Sequence, residues 1–360
     1  MGCFQTSNKA PFAVLIKNII EKNNIKLLLS LVNSKTIKNS KDSYLDIINL
    51  PITKTKLFQM NALGYSLYIG RYRIFEILHK FGCSLSKMDE LFYSQGVSAL
   101  DIICFKGFSD IIRYYLPFYI EAYPNGKYKE ILFSIEVKNG EDVLKPSENF
   151  TPIQTLVRYG HIQALTVVCE FFIGKSLIPH EFDLNYCNEE GENSALIACR
   201  YGNYAMVKFL YHKCGCKFTE LNKAKENAIQ IAVAGSRVYL VLEYTKIVSF
   251  LVNVVGVNIT YNYEETLLLA ENRELIAFIE CALQKSSLPV RKEDLEKKCC
   301  KNQDKTHESQ SSDGKSYQEQ NFIVLYRKEY EDYTDSVPSS IADCGNSITS
   351  FVGSMLEFHK

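Results

Sequence analysis

Residues 151–161 read Thr151-Pro152-Ile153-Gln154-Thr155-Leu156-Val157-Arg158-Tyr159-Gly160-His161. Threonine followed by proline opens a helix, because proline tolerates the first turn, where no backbone N–H is required. A glycine after the last apolar residue closes it, since it reaches the left-handed backbone region without a Cβ penalty. The same phrase runs from Asn61 to Gly70 and from Ser98 to Gly107, and all three copies span nine residues. A fourth copy leads to Gly202-Asn203, with Ser194-Ala195-Leu196 one residue too close to its glycine. A looser one runs from Asn227-Ala228-Ile229 to Gly235. Self-similarity of this kind marks a repeat architecture.

After each glycine comes a second apolar run. Examples are Ile74-Phe75-Glu76-Ile77-Leu78, Ile111–Leu116 and Met206-Val207-Lys208-Phe209-Leu210; Thr245–Leu251 is the same run displaced by an insertion. Gly82, Gly215 and Gly256 then close several units. The pattern predicts antiparallel helix pairs, each with too little apolar surface to fold alone, so that neighbours must stack. Thr151-Pro152-Ile153 with Gly160-His161 resembles the signature of the ankyrin repeat. Asp183-Leu184-Asn185 before Gly191 resembles the hairpin that leads into the next repeat. The resemblance covers about residues 58–284, with a degenerate start at Pro11–Val32 and a C-terminal cap built from Glu265–Ala270 and Glu274–Ile279. It implies an all-α, ankyrin-repeat solenoid of helix-turn-helix units with short β-hairpins, six or seven repeats in all. It also implies protein–protein recognition, with hairpin tips and first helices lining a concave surface.

The turn glycines are separated by 37, 53, 42 and 33 residues. Against a repeat of about 33 residues, the second interval holds a large insertion at about 120–149. Its Asn125-Gly126 and Asn139-Gly140 pairs around Ile131–Val137 predict a β-hairpin. Insertions in a stacked array emerge on one face, often the binding face. Glu189, Glu190 and Glu192 cluster on a predicted hairpin and read as a solvated tip open to a partner. Tyr261 and Tyr263, on a later hairpin, are candidate contact residues, because tyrosine is favoured at interfaces; packing between adjacent hairpins is the alternative.

Catalytic signatures are missing. Gly314-Lys315-Ser316 ends like a phosphate loop, but Ser309 stands where its first glycine belongs. His212, Cys214 and Cys216 offer three metal-type side chains where a structural zinc needs four. No catalytic residue, metal or cofactor is expected, and no small-molecule substrate.

The chain has 360 residues, with 41 lysines and arginines against 41 aspartates and glutamates. Neutrality argues against a nucleic-acid partner. The balance is uneven: residues 1–60 hold nine lysines against Glu21, Asp42 and Asp46. Met1-Gly2-Cys3-Phe4-Gln5-Thr6 fits the pattern for myristoylation at Gly2, with Cys3 placed for a thioester-linked palmitate. One acyl chain holds a membrane only marginally, so a second signal matters, from Cys3 or from Lys9, Lys17, Lys22 and Lys26. Met1 to Lys9 shows no apolar leader, and the twelve cysteines form no framework, as expected of reduced thiols in a cytoplasmic protein.

These readings divide the chain into an acylated segment at 1–9, a repeat domain at 10–284 and a mostly disordered tail at 285–360. Ile348, Phe351, Val352, Met355 and Leu356 mark a docking helix at 347–358 in that tail. The expected function is a non-enzymatic scaffold or adaptor, peripheral on the cytoplasmic face of a membrane. A soluble ankyrin adaptor or cytoskeletal-complex subunit without lipid is the alternative. An enzyme with its site in the insertion or tail is the third.

Overall fold

The computed structural model describes residues 9–34, 37, 39–128, 131–146, 150–239 and 243–287. The acylation pattern at Gly2 and Cys3, nearly all of the tail and the docking helix at 347–358 lie outside the described residues. The protein is mostly helical, with two short hairpins.

The first segment forms α1 (Lys9–Glu21) and α2 (Ile25–Asn33), then α3 (Lys41–Asn49) and a two-residue hairpin, β1 (Thr53–Lys54) and β2 (Gln59–Met60). Two helices follow, α4 (Ala62–Tyr68) and α5 (Tyr72–Phe81), and then α6 (Leu85–Tyr93). The next pair is α7 (Ala99–Lys106) with α8 (Ser109–Ala122). The insertion supplies β3 (Phe133–Lys138) and β4 (Glu141–Pro146), paired antiparallel from Phe133 opposite Pro146 to Lys138 opposite Glu141. Beyond it lie α9 (Pro152–Arg158) with α10 (Ile162–Phe172), α11 (Ser194–Arg200) with α12 (Tyr204–His212), and α13 (Ala228–Val238) with α14 (Tyr244–Phe250). The last pair is α15 (Tyr263–Leu269) with α16 (Arg273–Ser287).

Packing follows chain order in two rows. In the first row, α1, α4, α7, α9, α11, α13 and α15 each pack on the next. In the second, close packing runs α2–α5–α8–α10 and resumes at α12–α14–α16. The helices α7, α9 and α11 are apolar on nearly every side, which fits their position between two neighbours and a partner.

Side-chain caps set the start of the first-row helices. Asn61, Ser98, Thr151, Asn193 and Asn227 each accept the backbone N–H of the third residue on. Thr151 and Asn227 complete capping boxes with Gln154 and Gln230. The cap of α11 is Asn193, one residue before Ser194, and this restores the nine-residue span to Gly202.

Gly70, Gly107, Gly160 and Gly202 all have positive φ, between 70° and 74°. Each is also covered by a side chain from the next helix pair. A Cβ on Gly107 would stand 2.4 Å from the His161 ring, and the others would meet Phe108, Asn203 and Tyr244. The glycine phrase therefore encodes both a turn and a stacking contact.

One expectation needs correction. Gly235 is not a turn glycine: α13 continues past it to Val238, and Ser236 occupies the ninth position. Its lack of a side chain serves packing, because a Cβ there would lie 2.1 Å from the carbonyl oxygen of Arg200. The connection after α5 forms the helix α6, capped by Ser84.

Gly235→Ala sets helix propensity against this close approach. Alanine gains about 1 kcal/mol in a helix, while overpacking against backbone costs about 1–3 kcal/mol. The variant should unfold at lower urea concentration than the parent chain; an unchanged or raised midpoint would show that the α11–α13 contact is not tight.

Candidate partner-binding face

The connections into α11, α13 and α15 are built around asparagines. Asn188 Oδ1 accepts the N–H groups of Glu190 at 3.0 Å and Glu192 at 2.8 Å. Asn222 Oδ1 accepts Glu226 N–H at 2.9 Å, and Asn258 Oδ1 accepts Thr260 N–H at 2.9 Å. Short polar side chains hold such turns by satisfying the backbone locally. Neighbouring tips are then joined. Lys223 N–H donates to Glu190 O at 2.9 Å, and the Tyr261 hydroxyl donates to Lys225 O at 3.0 Å.

Glu189 and Glu190 stand exposed on the first tip, as expected. Glu192 does not share that position. It is fully buried, and both of its carboxylate oxygens accept from Arg200 Nε at 3.0 Å, with Arg200 Nη2 also bonded. The residue starts the approach to α11, so its side chain turns inward where the tip turns out. Tyr261 ties two tips together, the packing alternative of the sequence reading, while Tyr263 begins α15 and remains exposed. Lys223 and Lys225, exposed on the intervening tip, were missed. The signal was present as Asn188, Asn222 and Asn258, spaced 34 and 36 residues apart.

The inserted hairpin is not a projecting loop. Leu132 and Phe133 N–H both donate to Gly96 O at 3.0 Å, and the Tyr159 hydroxyl donates to Ile135 O at 3.2 Å. Glu136 takes Arg158 at 2.5 Å and Lys145 at 2.7 Å. Asp142 takes the Tyr68 hydroxyl at 2.8 Å and an ion pair from Lys106. Tyr68, Lys106 and Arg158 lie at the C-terminal ends of α4, α7 and α9, so the hairpin crosses three successive units. Lys56 reaches Glu141 at 2.9 Å, with both side chains mostly exposed, and such a pair contributes little. Burial works against the Glu136 carboxylate, but its Lys145 and Arg158 partners outweigh that and hold its pKa below the ordinary value.

A cavity of about 10 Å³ lies beneath the hairpin, lined among others by Asp101, Ser134, Phe150 and Arg158. Asp101 is pushed up to about 7 by burial alone. Asp89 is pushed up to about 6 by burial, against the pull of a 2.7 Å hydrogen bond from the Tyr115 hydroxyl. Glu181, wholly buried, is also raised by burial. These carboxyls sit singly. Among the described residues no group of three His, Cys, Asp or Glu side chains converges as a metal-binding set. The His212 ring packs on Tyr211 and Phe250.

No protein-family model matches the chain, and no curated protein matches it.

The raised carboxyls dictate a direction for stability against pH. Between about pH 4 and pH 7 folded Asp101 keeps a proton that the unfolded chain has shed, so stability falls as pH rises. Below that window both states are protonated, and above it the full penalty stands. Asp101→Asn should flatten this part of the curve, recovering on the order of 3 kcal/mol or less at pH 7 by urea titration. Parallel curves for both proteins would exclude Asp101 as the source.

Proposed function

We propose that the chain is a non-enzymatic protein–protein interaction scaffold, an ankyrin-repeat array of seven helix pairs tethered to the cytoplasmic face of a membrane through Gly2 and Cys3. One observation carries the recognition half of this reading: the three asparagine-built tips before α11, α13 and α15 are stitched into one row. Such a row is preorganised, so a partner meeting it loses little freedom on ordering the protein side. Its chemistry changes from tip to tip, with Glu189 and Glu190, then Lys223 and Lys225, then Tyr263. Alternating charge with an aromatic at the end favours a protein surface of complementary pattern.

The tether rests on the sequence Met1-Gly2-Cys3-Phe4-Gln5-Thr6. No helix among the described residues is long and apolar enough to cross a membrane. Exposed apolar side chains occur in the first two helices, at Val14, Leu15, Leu27 and Leu29, and at Leu50 just after the third.

The recognition half is tested by capture with the full chain as bait from its native cell. Charge reversal by Glu189→Lys with Glu190→Lys should reduce the recovered partner by about tenfold or more. Recovery equal to the parent bait would remove the tip row as the contact. The tether is tested separately. Gly2→Ala should move the protein from the membrane pellet to the soluble fraction, and intact mass should show Met1 lost and a myristoyl group on Gly2. An unmodified Gly2 would leave the soluble adaptor as the surviving reading.

A further inference from the structure

The first unit differs from those inside the array. Each of α7, α9 and α11 lies between two first-row neighbours. The helix α1 packs on α2, α3 and α4, and among the described residues it has no first-row neighbour on its other side. Phe12, Ile16, Ile19 and Ile20 form its buried edge. Away from that edge it carries Val14, 57% exposed, and Leu15, 36% exposed. Lys22 follows in the open turn, and α2 adds exposed Lys26 with Leu27 and Leu29, each 42% exposed. The terminal unit of a stacked array ordinarily turns a polar face outward. Four aliphatic side chains left in solvent on two successive helices depart from that rule.

Charge says what covers them. Residues 1–60 hold nine lysines against three acids. The acid nearest this surface, Glu21, is drawn to the packed side: the Tyr65 hydroxyl of α4 donates to its carboxylate at 3.0 Å, and Lys17 lies 3.8 Å away. Lys22 and Lys26 make no ion pair with a described residue, so the open charge beside the leucines is positive. The other end of the first row is the reverse. There α15 exposes Leu268, but beside exposed Glu264 and Glu265, which an anionic surface would repel. Long lysine side chains bury their stems in an apolar boundary and keep the ammonium at the polar level. Leucines with flanking lysines therefore suit the interface of an anionic bilayer.

We propose that the outer face of α1 and α2 docks flat on an anionic lipid surface, with Val14, Leu15, Leu27 and Leu29 entering the headgroup boundary and Lys22 and Lys26 meeting acidic headgroups. This rests on the tethered reading for its orientation. Only seven residues separate Gly2 from Lys9, the first residue of α1, and they reach at most about 25 Å when fully extended. An acyl chain on Gly2 thus holds α1 at the bilayer, and the docked face supplies the second signal that a single acyl chain needs. The later tips, carried by the opposite end of the array, then stay clear of the lipid.

The test uses the full chain with Gly2→Ala, so that no acyl chain contributes, and measures sedimentation with phosphatidylserine-rich vesicles and with vesicles of phosphatidylcholine alone. The parent should bind the first and not the second, and added salt should weaken it. Leu15→Glu with Leu29→Glu should lower the affinity about tenfold or more, and Lys22→Gln with Lys26→Gln should do the same. Leu268→Glu should leave it unchanged. All four leucine and lysine sites are open to solvent, so the urea midpoints should match the parent; the lysine pair decides alone if the leucine pair unfolds the chain. No binding to either vesicle, equal binding to both, or binding that both pairs leave intact would overturn the proposal. So would self-association lost in the same variants, since the occupant would then be a second copy. Myristoylated Gly2 without vesicle docking would leave the tether standing alone, and docking with an unmodified Gly2 would leave the surface standing without the tether.

Discussion

The stacking of this molecule depends on how closely one turn can approach the next. At Gly70, Gly107, Gly160 and Gly202 the backbone is left-handed, and the first side chain of the following turn, or Tyr244 in the last case, lies over the missing Cβ. Either requirement alone would favour glycine. Together they fix both the angle within a pair and the spacing between pairs. His161 shows how much rides on one such contact: it covers Gly107, and its Nε2 lies 2.8 Å from Phe105 O, the free carbonyl at the end of α7. A helix end buried against its neighbour needs a partner for its last carbonyls, and the neighbour's histidine supplies it. Burial also pushes the His161 pKa down, consistent with a neutral ring in this position.

The opposite ends of the first-row helices are tied by a second set of side chains. Asn193 Nδ2 donates to Lys217 O at 2.9 Å and Asn227 Nδ2 donates to Asn258 O at 3.2 Å, each while the same side chain caps its own helix. One residue therefore starts a helix and holds the next connection. Where the connection changes, the bond is lost. Asn61 Nδ2 is buried without a hydrogen-bond partner among the described residues, and the chain after its helix pair forms α6 instead of a hairpin. An orphaned buried amide costs about 1–3 kcal/mol, which apolar contacts such as Phe58 against Phe92 and Met88 beside them must offset.

Helix pairs were legible because their signals are local. Thr151-Pro152, the nine-residue span and the asparagine–glycine turn at Asn139-Gly140 each act within a few residues, and the hairpin β3–β4 formed where its turn placed it. Long-range constraints were not legible. Gly235 looks like the other glycines in sequence, yet its neighbour is Arg200, 35 residues away, and only the tertiary contact separates the two roles. Glu192 sits three residues from Glu189, and no local rule says that one is a tip and the other an internal partner for Arg200. The helix α6 was not read from the sequence, where Gly82 marked only the close of a unit; the Ser84 cap starts a helix directly after it.

The docked hairpin changes which part of the molecule is open. Its acidic residues Glu136 and Asp142 meet Arg158 and Lys106 at the ends of α9 and α7, places where a cation already faces the helix dipole favourably. These pairs are largely shielded from water, so removing one partner would leave a charge buried, which costs more than an exposed pair ever contributes. The hairpin is therefore part of the wall over the C-terminal ends of α4, α7 and α9, and Ile135 is packed into the core to match. The tips before α11, α13 and α15 belong to the other ends of later helices, where Glu189, Lys223, Lys225 and Tyr263 remain exposed. Of the features singled out in the sequence, the insertion is spent on internal contacts, and the later tips are the ones that keep charged and aromatic side chains in solvent.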